Sequence, residues 1–156
     1  MAIEIERKYL VDPDKWNKAE KGVKHFYRQG YILTDPEKTI RVRITDESGF
    51  ITIKGKSVGA SRPEYEYPIP KQDAIELLDR FCSSDVSKFR YVVPFAGKVW
   101  EVDEFLAANK GLLVAEIELT SEDEIFETPE WIDKEVTGIE KYYNSNLSKY
   151  PFKYWS

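Results

Sequence analysis

Charged side chains spaced two residues apart recur along this sequence, beginning with the segment EIERK at residues 4–8. Apolar and polar residues alternate here, which is the period of a β-strand. The alternation places Glu4, Glu6 and Lys8 on one face, where neighbouring charges lie roughly 7 Å apart. Carboxylates this close either face bulk water or share a cation, so the segment is a candidate metal-binding strand.

The same spacing recurs on most of the other predicted strands. The basic pairs are Arg41 with Arg43, Lys54 with Lys56, and Lys88 with Arg90; the acidic pairs are Glu64 with Glu66, Glu101 with Asp103, and Glu116 with Glu118. An antiparallel sheet with one solvated face is one explanation. Like charges in proximity destabilise a sheet, however, and few neutral polar residues separate these pairs, so the whole set favours a functional face.

A closed sheet with these faces turned inward would enclose clustered cations opposite clustered carboxylates. Burying such charges without partners is strongly unfavourable, so a ligand must neutralise both groups. Guanidinium groups match phosphate oxygens, which makes a polyphosphate the natural ligand for the basic cluster. Carboxylates suit a hard divalent cation, and Mg²⁺ or Mn²⁺ would bridge them to the phosphates.

Composition limits the other classes of function. The 156 residues fit one domain over 1–156, and a hydrophobic fraction of 42% with 33% charged residues indicates a globular protein. The net charge of −5 argues against a nucleic-acid partner. Cys82 is the sole cysteine, which excludes an intrachain disulfide. No apolar run approaches the roughly 20 residues of a membrane span, so we expect a cytoplasmic protein.

The element pattern is α+β, with an eight-stranded antiparallel sheet that can close into a barrel. Strands are predicted over residues 3–11, 24–33, 39–45, 50–56, 62–69, 86–95, 98–105 and 112–119. Short turns between several of them favour hairpins over crossover connections. Flanking helices are predicted over residues 13–19, 71–81, 121–126 and 137–148.

An ordered series of motifs resembles the CYTH superfamily, also called the triphosphate tunnel metalloenzymes. The Glu-x-Glu-x-Lys strand at residues 4–8 is followed by QGYI, IRVRI, TIKGK, SRPEYEYPI, KFR, EVDEF and VAEIEL. The series extends from residue 3 to about residue 148. The resemblance implies an eight-stranded antiparallel β-barrel that forms a tunnel, and it implies metal-dependent chemistry on a triphosphate.

The resemblance also implies roles for individual residues. The metal-binding carboxylates would be Glu4, Glu6, Asp103, Glu116 and Glu118. The cations that bind the triphosphate would be Lys8, Arg41, Arg43, Lys54, Arg62, Lys88 and Arg90. A second metal ion, or Lys8 paired with a tyrosine such as Tyr31, is a candidate for activating the attacking water. Tyr143 departs from the family pattern, since related sequences often have a basic residue there.

Several functions share these residues. Hydrolysis of inorganic triphosphate is favoured, because the compact chain has no long insertion for recognising a nucleobase. Class IV-type adenylate cyclase and thiamine or nucleoside triphosphatase are alternatives within the family. A non-catalytic polyphosphate-binding module and an unrelated protein-interaction domain are alternatives of another class. The aromatic tail KYPFKYWS could pack on the barrel or form the contact of a homodimer.

Overall fold

The computed structural model describes residues 3–35 and 37–155, and within them nine strands and three α-helices form. The strands are β1 (Ile3–Val11), β2 (Val23–Asp35), β3 (Lys38–Ile44), β4 (Gly49–Gly55), β5 (Ser61–Ile69), β6 (Asp85–Phe95), β7 (Lys98–Phe105), β8 (Leu113–Glu118) and β9 (Ile132–Glu135). The helices are α1 (Pro13–Lys18), α2 (Lys71–Phe81) and α3 (Asn144–Lys149).

Strands β1 to β8 close into an antiparallel barrel. Neighbouring strands follow the order β5-β4-β3-β2-β6-β7-β8-β1, and β1 also pairs with β5. The closing contact is short, from Ile3 opposite Pro63 to Ile5 opposite Ser61. The prediction of an eight-stranded antiparallel barrel with flanking helices is therefore confirmed.

Strand β9 was not predicted. It pairs with the edge of β1 at Tyr9 and Val11, beyond the short stretch that pairs with β5. Its sequence IDKE is brief and rich in residues that disfavour strands, so local pattern alone does not reveal it. The pairing supplies hydrogen-bond partners that this part of β1 would otherwise lack.

Two of the predicted helices differ in the structure. Residues 121–126 form a turn and extended chain, because the Glu124 carboxylate accepts hydrogen bonds from the backbone and hydroxyl of Thr120 and Phe126 packs against Trp100. The helix predicted over residues 137–148 begins only at Asn144. Gly138 has a φ of +78°, which a helix cannot contain.

The other two helices follow the prediction and cover the apolar outer face of the barrel. The Asp12 carboxylate caps α1 by accepting hydrogen bonds from the backbone of Asp14 and Lys15. Helix α2 lies across β2, β3 and β4, where its Ala74 and Leu78 pack against Val42. In the part of the chain that the structure describes, no helix is both long and apolar enough to cross a membrane.

Close approach of α2 depends on two glycines in the barrel wall. A Cβ atom on Gly49 would lie 2.8 Å from the Cβ of Ala74, and one on Gly30 would lie 2.9 Å from the Cβ of Cys82. Neither distance is tolerated between carbon atoms. Glycine at these positions therefore lets the helix and its flanking residues seat directly on the strands.

The main apolar cores lie outside the barrel wall. One cluster contains Trp16, Trp100 and Trp131, whose rings meet edge to face. A second contains Phe105 and Leu147 and holds α3 against the barrel. Alternation along each strand turns the remaining, charged face toward the interior.

Candidate active site

The barrel interior contains a cavity of about 270 Å³ lined almost entirely by polar and charged side chains. Eleven of the thirteen predicted site residues line it: Glu4, Glu6, Lys8, Tyr31, Arg41, Arg43, Lys54, Arg62, Arg90, Glu116 and Glu118. Asp103 and Lys88 do not. The residues not assigned a role in the sequence include Tyr27, Glu101, Tyr143 and Asn144.

Strand register brings the acidic residues together. Glu6 lies opposite Glu118 and Lys8 lies opposite Glu116 in the pairing of β1 with β8. Glu101 lies opposite Glu116 in the pairing of β7 with β8. Because directly opposed side chains on one face lie about 5 Å apart, carboxylates of three strands face the same part of the cavity.

Within this cluster, the negative charge of Glu6 is disfavoured. Burial and the nearby Glu116 carboxylate raise the pKa of Glu6 to about 8. Among the described residues, neither Glu6 nor Glu118 has an ion-pair or side-chain hydrogen-bond partner. A bound cation would relieve this repulsion, so the donor set fits a divalent metal.

The same carboxylates do not form a ready-made metal cage. Within residues 3–35 and 37–155, no three acidic, histidine or cysteine side chains converge closely enough to hold an ion. An ion bound here would take one or two protein carboxylates and fill its other positions with water or phosphate oxygens. Mg²⁺ is commonly bound in this way.

Lys8 lies between the acidic cluster and the C-terminal segment. Its Nζ is 3.5 Å from Oε1 of Glu116 and 5.3 Å from the centre of the Tyr143 ring. Burial disfavours its charge, but the carboxylates of Glu116 and Glu6 outweigh burial and raise the pKa of Lys8. A protonated Lys8 is suited to contact an anion rather than to accept a proton.

Arg43 is held differently from the other cations. Its Nε donates a hydrogen bond of 2.9 Å to Oε1 of Gln29, and its guanidinium lies 4.7 Å from the centre of the Tyr27 ring. No carboxylate of the described residues pairs with it. Burial and the nearby cations Arg41 and Arg90 lower the pKa of Arg43 to about 10, which leaves it charged at neutral pH.

Two other arginines carry an unused nitrogen. Arg41 donates from Nη2 to Oγ1 of Thr52 at 3.1 Å, and Arg62 donates from Nη2 to Oγ1 of Thr39 at 3.3 Å. The Nε atom of each arginine is buried and has no hydrogen-bond partner. Buried donors are rarely left without a hydrogen-bond partner, so these two Nε atoms could donate hydrogen bonds to a bound anion.

Lys54 is already paired. Its Nζ lies 3.0 Å from Oε2 of Glu4 and 3.2 Å from Oε2 of Glu64. Although burial opposes it, hydrogen bonding from Glu64 and the charge of Lys54 lower the pKa of Glu4 to about 2. Burial and the neighbouring Glu4 raise the pKa of Glu64 to about 7. The two carboxyls and Lys54 thus form one acid–acid–base group on the cavity wall.

Asp103 and Lys88 lie behind the cavity wall. Oδ1 of Asp103 accepts from Nε of Arg90 at 2.7 Å, and Oδ2 accepts from Nη2 of Arg90 at 2.9 Å and from Nζ of Lys88 at 2.7 Å. Lys88 is fully buried and also donates to Oδ1 of Asn144 at 3.1 Å. As placed, Asp103 has both oxygens engaged, and these two residues orient Arg90 and Asn144.

Glu101 lines the cavity at the position next to Asp103 on the same strand face. Its Oε2 lies 3.3 Å from Nη1 of Arg90. The period of two identifies Glu101 and Asp103 equally, because both are acidic and lie on one face. Only the residues opposite them separate the two, since Asp103 lies opposite the cation Arg90 and Glu101 lies opposite the carboxylate Glu116.

The C-terminal segment covers one side of the cavity with Tyr143, Asn144 and Ser145. Leu147 anchors α3 in the outer core, and Phe152 and Trp155 of the aromatic tail pack against the same cluster. The tail therefore packs on its own barrel, which is the first of the two predicted alternatives.

The fold and the site define the class of protein: a closed antiparallel barrel with guanidinium groups and carboxylates around one internal cavity. The chain belongs to the CYTH family, since the CYTH domain matches residues 2–151. The resemblance seen in the sequence is thereby confirmed.

Relatives of known name agree with this membership. An inorganic triphosphatase of Acetivibrio thermocellus is 50% identical over 154 residues, which are 98% of this chain and 97% of the relative. An inorganic triphosphatase of Nitrosomonas europaea is 35% identical over 93% of this chain and 96% of its own length. A crystal structure of an inorganic triphosphatase superposes with a TM-score of 0.66 at 31% identity, covering 95% of both chains.

Proposed function

We propose that this protein is an inorganic triphosphatase that hydrolyses tripolyphosphate to diphosphate and phosphate inside the barrel. The observation that carries the proposal is one cavity that is lined by the cations Arg43 and Arg62 and by the carboxylates Glu6 and Glu118, none of which has an ion-pair partner among the described residues. The relatives from Acetivibrio and Nitrosomonas support both the activity and the substrate, because both are described as inorganic triphosphatases.

Mg²⁺ or Mn²⁺ is the proposed cofactor. Glu6 and Glu118 would hold the ion, with Glu4 and Glu116 close by, and phosphate oxygens and water would complete its coordination. When bound, the metal would neutralise charge on the phosphoryl oxygens. The raised pKa of Glu6 supports this assignment, because burial and the neighbouring Glu116 carboxylate disfavour its negative charge and a bound cation would stabilise that charge.

The chain's own residues position the substrate. Arg41, Arg43 and Arg90 would bind phosphate oxygens from one part of the wall, and Lys54 and Arg62 would bind them from the neighbouring strands. Fixing the chain of phosphates in one geometry is the main task of a protein in phosphoryl transfer, since little covalent chemistry is required of it.

Lys8 and Tyr31 are the proposed residues at the reacting phosphate. The raised pKa of Lys8 favours a contact with a phosphate oxygen over base catalysis. Tyr31 lies on the cavity wall, next to a bulge that shifts the pairing of β2 with β3. Its hydroxyl would orient the attacking water or the reacting phosphoryl oxygen.

A larger triphosphate is a second candidate substrate because of an adjoining cavity. This cavity of about 600 Å³ shares Thr39, Arg62, Tyr143 and Ser145 with the inner cavity. Its position at the side of the inner cavity leaves room for the organic group of a nucleoside or thiamine triphosphate, and the substrate test must include both.

The test is incubation of the purified protein with tripolyphosphate, ATP or thiamine triphosphate in Mg²⁺ or Mn²⁺, with separation of the products. We expect phosphate release that is fastest from tripolyphosphate. Formation of cyclic AMP with negligible phosphate release would overturn the hydrolase assignment. Binding without turnover in either metal would instead support the non-catalytic module. A homodimer and a cytoplasmic location also remain proposals.

A further inference from the structure

Gln29 is a fully buried side chain that contacts two residues of the cavity wall. Its Oε1 accepts the hydrogen bond of 2.9 Å from Nε of Arg43, and its Nε2 donates to the hydroxyl oxygen of Tyr31 at 3.2 Å. Gln29 and Arg43 are partners across β2 and β3, and Tyr31 is two residues further along β2 on the same face. The amide thus lies behind the wall and connects two groups that face the cavity.

The amide holds Arg43 without cancelling its charge. Arg90 is fixed by Asp103, Arg41 is close to Glu66 and Lys54 is close to Glu4, so these cations have carboxylate partners. Arg43 has instead a neutral amide at Nε and an aromatic ring at its face. Its two terminal nitrogens carry four further N–H donors, which suit two-point binding of a phosphate.

The same amide determines what the Tyr31 hydroxyl can do. Because Oε1 accepts from Arg43, the other end of the amide must be its NH₂ group, and that group donates to Tyr31. The hydroxyl oxygen is therefore already an acceptor. Its own proton is left to be donated to another group, and the cavity lies beside it.

We propose that Gln29 is a positioning residue, whose amide aims the uncompensated charge of Arg43 and the hydroxyl proton of Tyr31 at the same triphosphate. The inference rests on the proposed triphosphatase function and adds to it a residue that lies outside the cavity. It also gives a reason for a neutral residue directly behind two residues of a charged site: a carboxylate here would neutralise Arg43 and would accept a hydrogen bond from the hydroxyl of Tyr31.

The experiment compares Gln29→Glu, Gln29→Met and the wild type across pH 5.5 to 8.5, with tripolyphosphate and Mg²⁺. Gln29→Glu keeps the shape of the side chain. At high pH we expect its KM to rise roughly tenfold or more, since an ionised carboxyl pairs with Arg43. As the pH falls, the introduced carboxyl gains a proton and regains one acceptor and one donor. The ratio of variant to wild-type kcat/KM should therefore increase toward low pH.

Gln29→Met separates positioning from packing. It fills similar volume without hydrogen bonds, so we expect lower kcat/KM at every pH and a constant ratio to the wild type. Gln72→Glu, on the exposed face of α2, is the matched control and should change neither parameter. If Gln29→Met does not fold, Gln29→Glu in an Arg43→Ala background replaces it: the KM effect of Gln29→Glu should largely vanish there, because its target is gone.

Calorimetric binding of tripolyphosphate without divalent metal gives a readout that is independent of turnover. Gln29→Glu should bind more weakly than the wild type at pH 8 by a similar factor. Unchanged kcat/KM, KM and affinity in Gln29→Glu, beside an active wild type, would overturn the inference. A wild type that neither hydrolyses nor binds tripolyphosphate would overturn the proposed function instead.

Discussion

The cations of the cavity differ in how far their charge is already balanced by a carboxylate. Lys54 and Arg90 are matched to carboxylates, so an incoming phosphate must compete with partners already in place. Arg43 is matched to a neutral amide and an aromatic ring. Removing it should therefore cost more binding than removing a cation whose charge is already balanced.

Arg43→Ala should lower kcat/KM for tripolyphosphate by roughly 100-fold, since a charge-assisted two-point contact is lost. Lys54→Ala should affect affinity less, because the charge of Lys54 is already largely balanced by Glu4 and Glu64 and so attracts the anion less strongly. Initial rates over a range of substrate concentrations measure both effects. Arg80→Ala on the exposed side of α2 is the control for loss of one positive charge. Equal rates in Arg43→Ala and Arg80→Ala would contradict the assignment.

Metal binding should depend on pH through Glu6. The pKa of Glu6 is raised from 4.5 to about 8 in the metal-free barrel, so this carboxyl holds a proton at pH 7 that a cation must displace. We expect Mg²⁺ affinity to increase from pH 6 to pH 8 and to level off above that. Any stability that protonated Glu6 gives the metal-free fold is complete below about pH 4.5 and is lost as the pH rises through 8.

Titration calorimetry of Mg²⁺ in two buffers with different ionisation enthalpies measures this proton. At pH 7 we expect close to one proton to be released per ion. The observed binding enthalpies in the two buffers should therefore differ by nearly the difference between the ionisation enthalpies of the buffers. Glu6→Gln should remove the difference, whereas Glu47→Gln, on an exposed turn, should leave it intact. A wild-type enthalpy that is the same in both buffers would show that Glu6 is not protonated before the metal binds.

At the scale of elements, periodicity predicted the strands well and the helices less completely. Strand-like runs between turn residues identified all eight barrel strands, and every one of these except β2 carries charged residues two positions apart. Strand β9 was missed, since its four residues gain their structure from the edge of β1 rather than from their own propensity. The C-terminal helix begins later than predicted because Gly138 has a positive φ, and the spacing of apolar residues does not reveal this backbone conformation.

The contact of α2 with the barrel depends on the lack of a side chain at Gly49. Gly49→Ala would place a Cβ 2.8 Å from that of Ala74, so we expect a loss of about 1–3 kcal/mol in the free energy of unfolding. Denaturant titration measures the loss. Adding Ala74→Gly removes the clash and should restore part of the stability, although glycine in a helix costs about 1 kcal/mol. A double variant that is less stable than either single variant would refute this account.

For the whole molecule, the charge pattern favoured closure of the sheet, and the family resemblance implied it. Charged pairs on so many strands are tolerable only where they can neutralise each other or share ligands, and the barrel provides that. The sequence could not separate Glu101 from Asp103, because they share charge, face and strand. It assigned no role to Gln29 of the motif QGYI either, since the role of a neutral amide beside a charged site is recognised only from the atoms that it contacts.

Metal and triphosphate should bind cooperatively to the barrel. The metal neutralises negative charge and the triphosphate neutralises positive charge in a common cavity. Binding of either ligand therefore makes the electrostatic potential more favourable for the other and raises its affinity. We expect an imido analogue of tripolyphosphate to bind at least tenfold more tightly with saturating Mg²⁺ than without it, as measured by calorimetry. The double variant Glu6→Gln/Glu118→Gln should lose most of this gain. Mg²⁺ also associates with the free analogue, which can itself change the measured affinity. An equal increase in affinity with Mg²⁺ in the double variant would therefore show that Glu6 and Glu118 do not contribute to the cooperativity.

Each barrel strand assigns alternate residues to the lumen or to the apolar coat, and this has a consequence for changes in chain length. Deleting one residue within β3 or β8 would exchange the lumen-facing and outward-facing residues beyond that point. Arginine or glutamate side chains would then lie in the apolar coat, and valine or isoleucine side chains would lie in the lumen. A point substitution alters the contacts of one side chain, whereas a shift of register alters the contacts of every residue in the rest of the strand. Length variation should therefore be tolerated at hairpin ends, such as the turn at Ala96 and Gly97, and hardly at all between them.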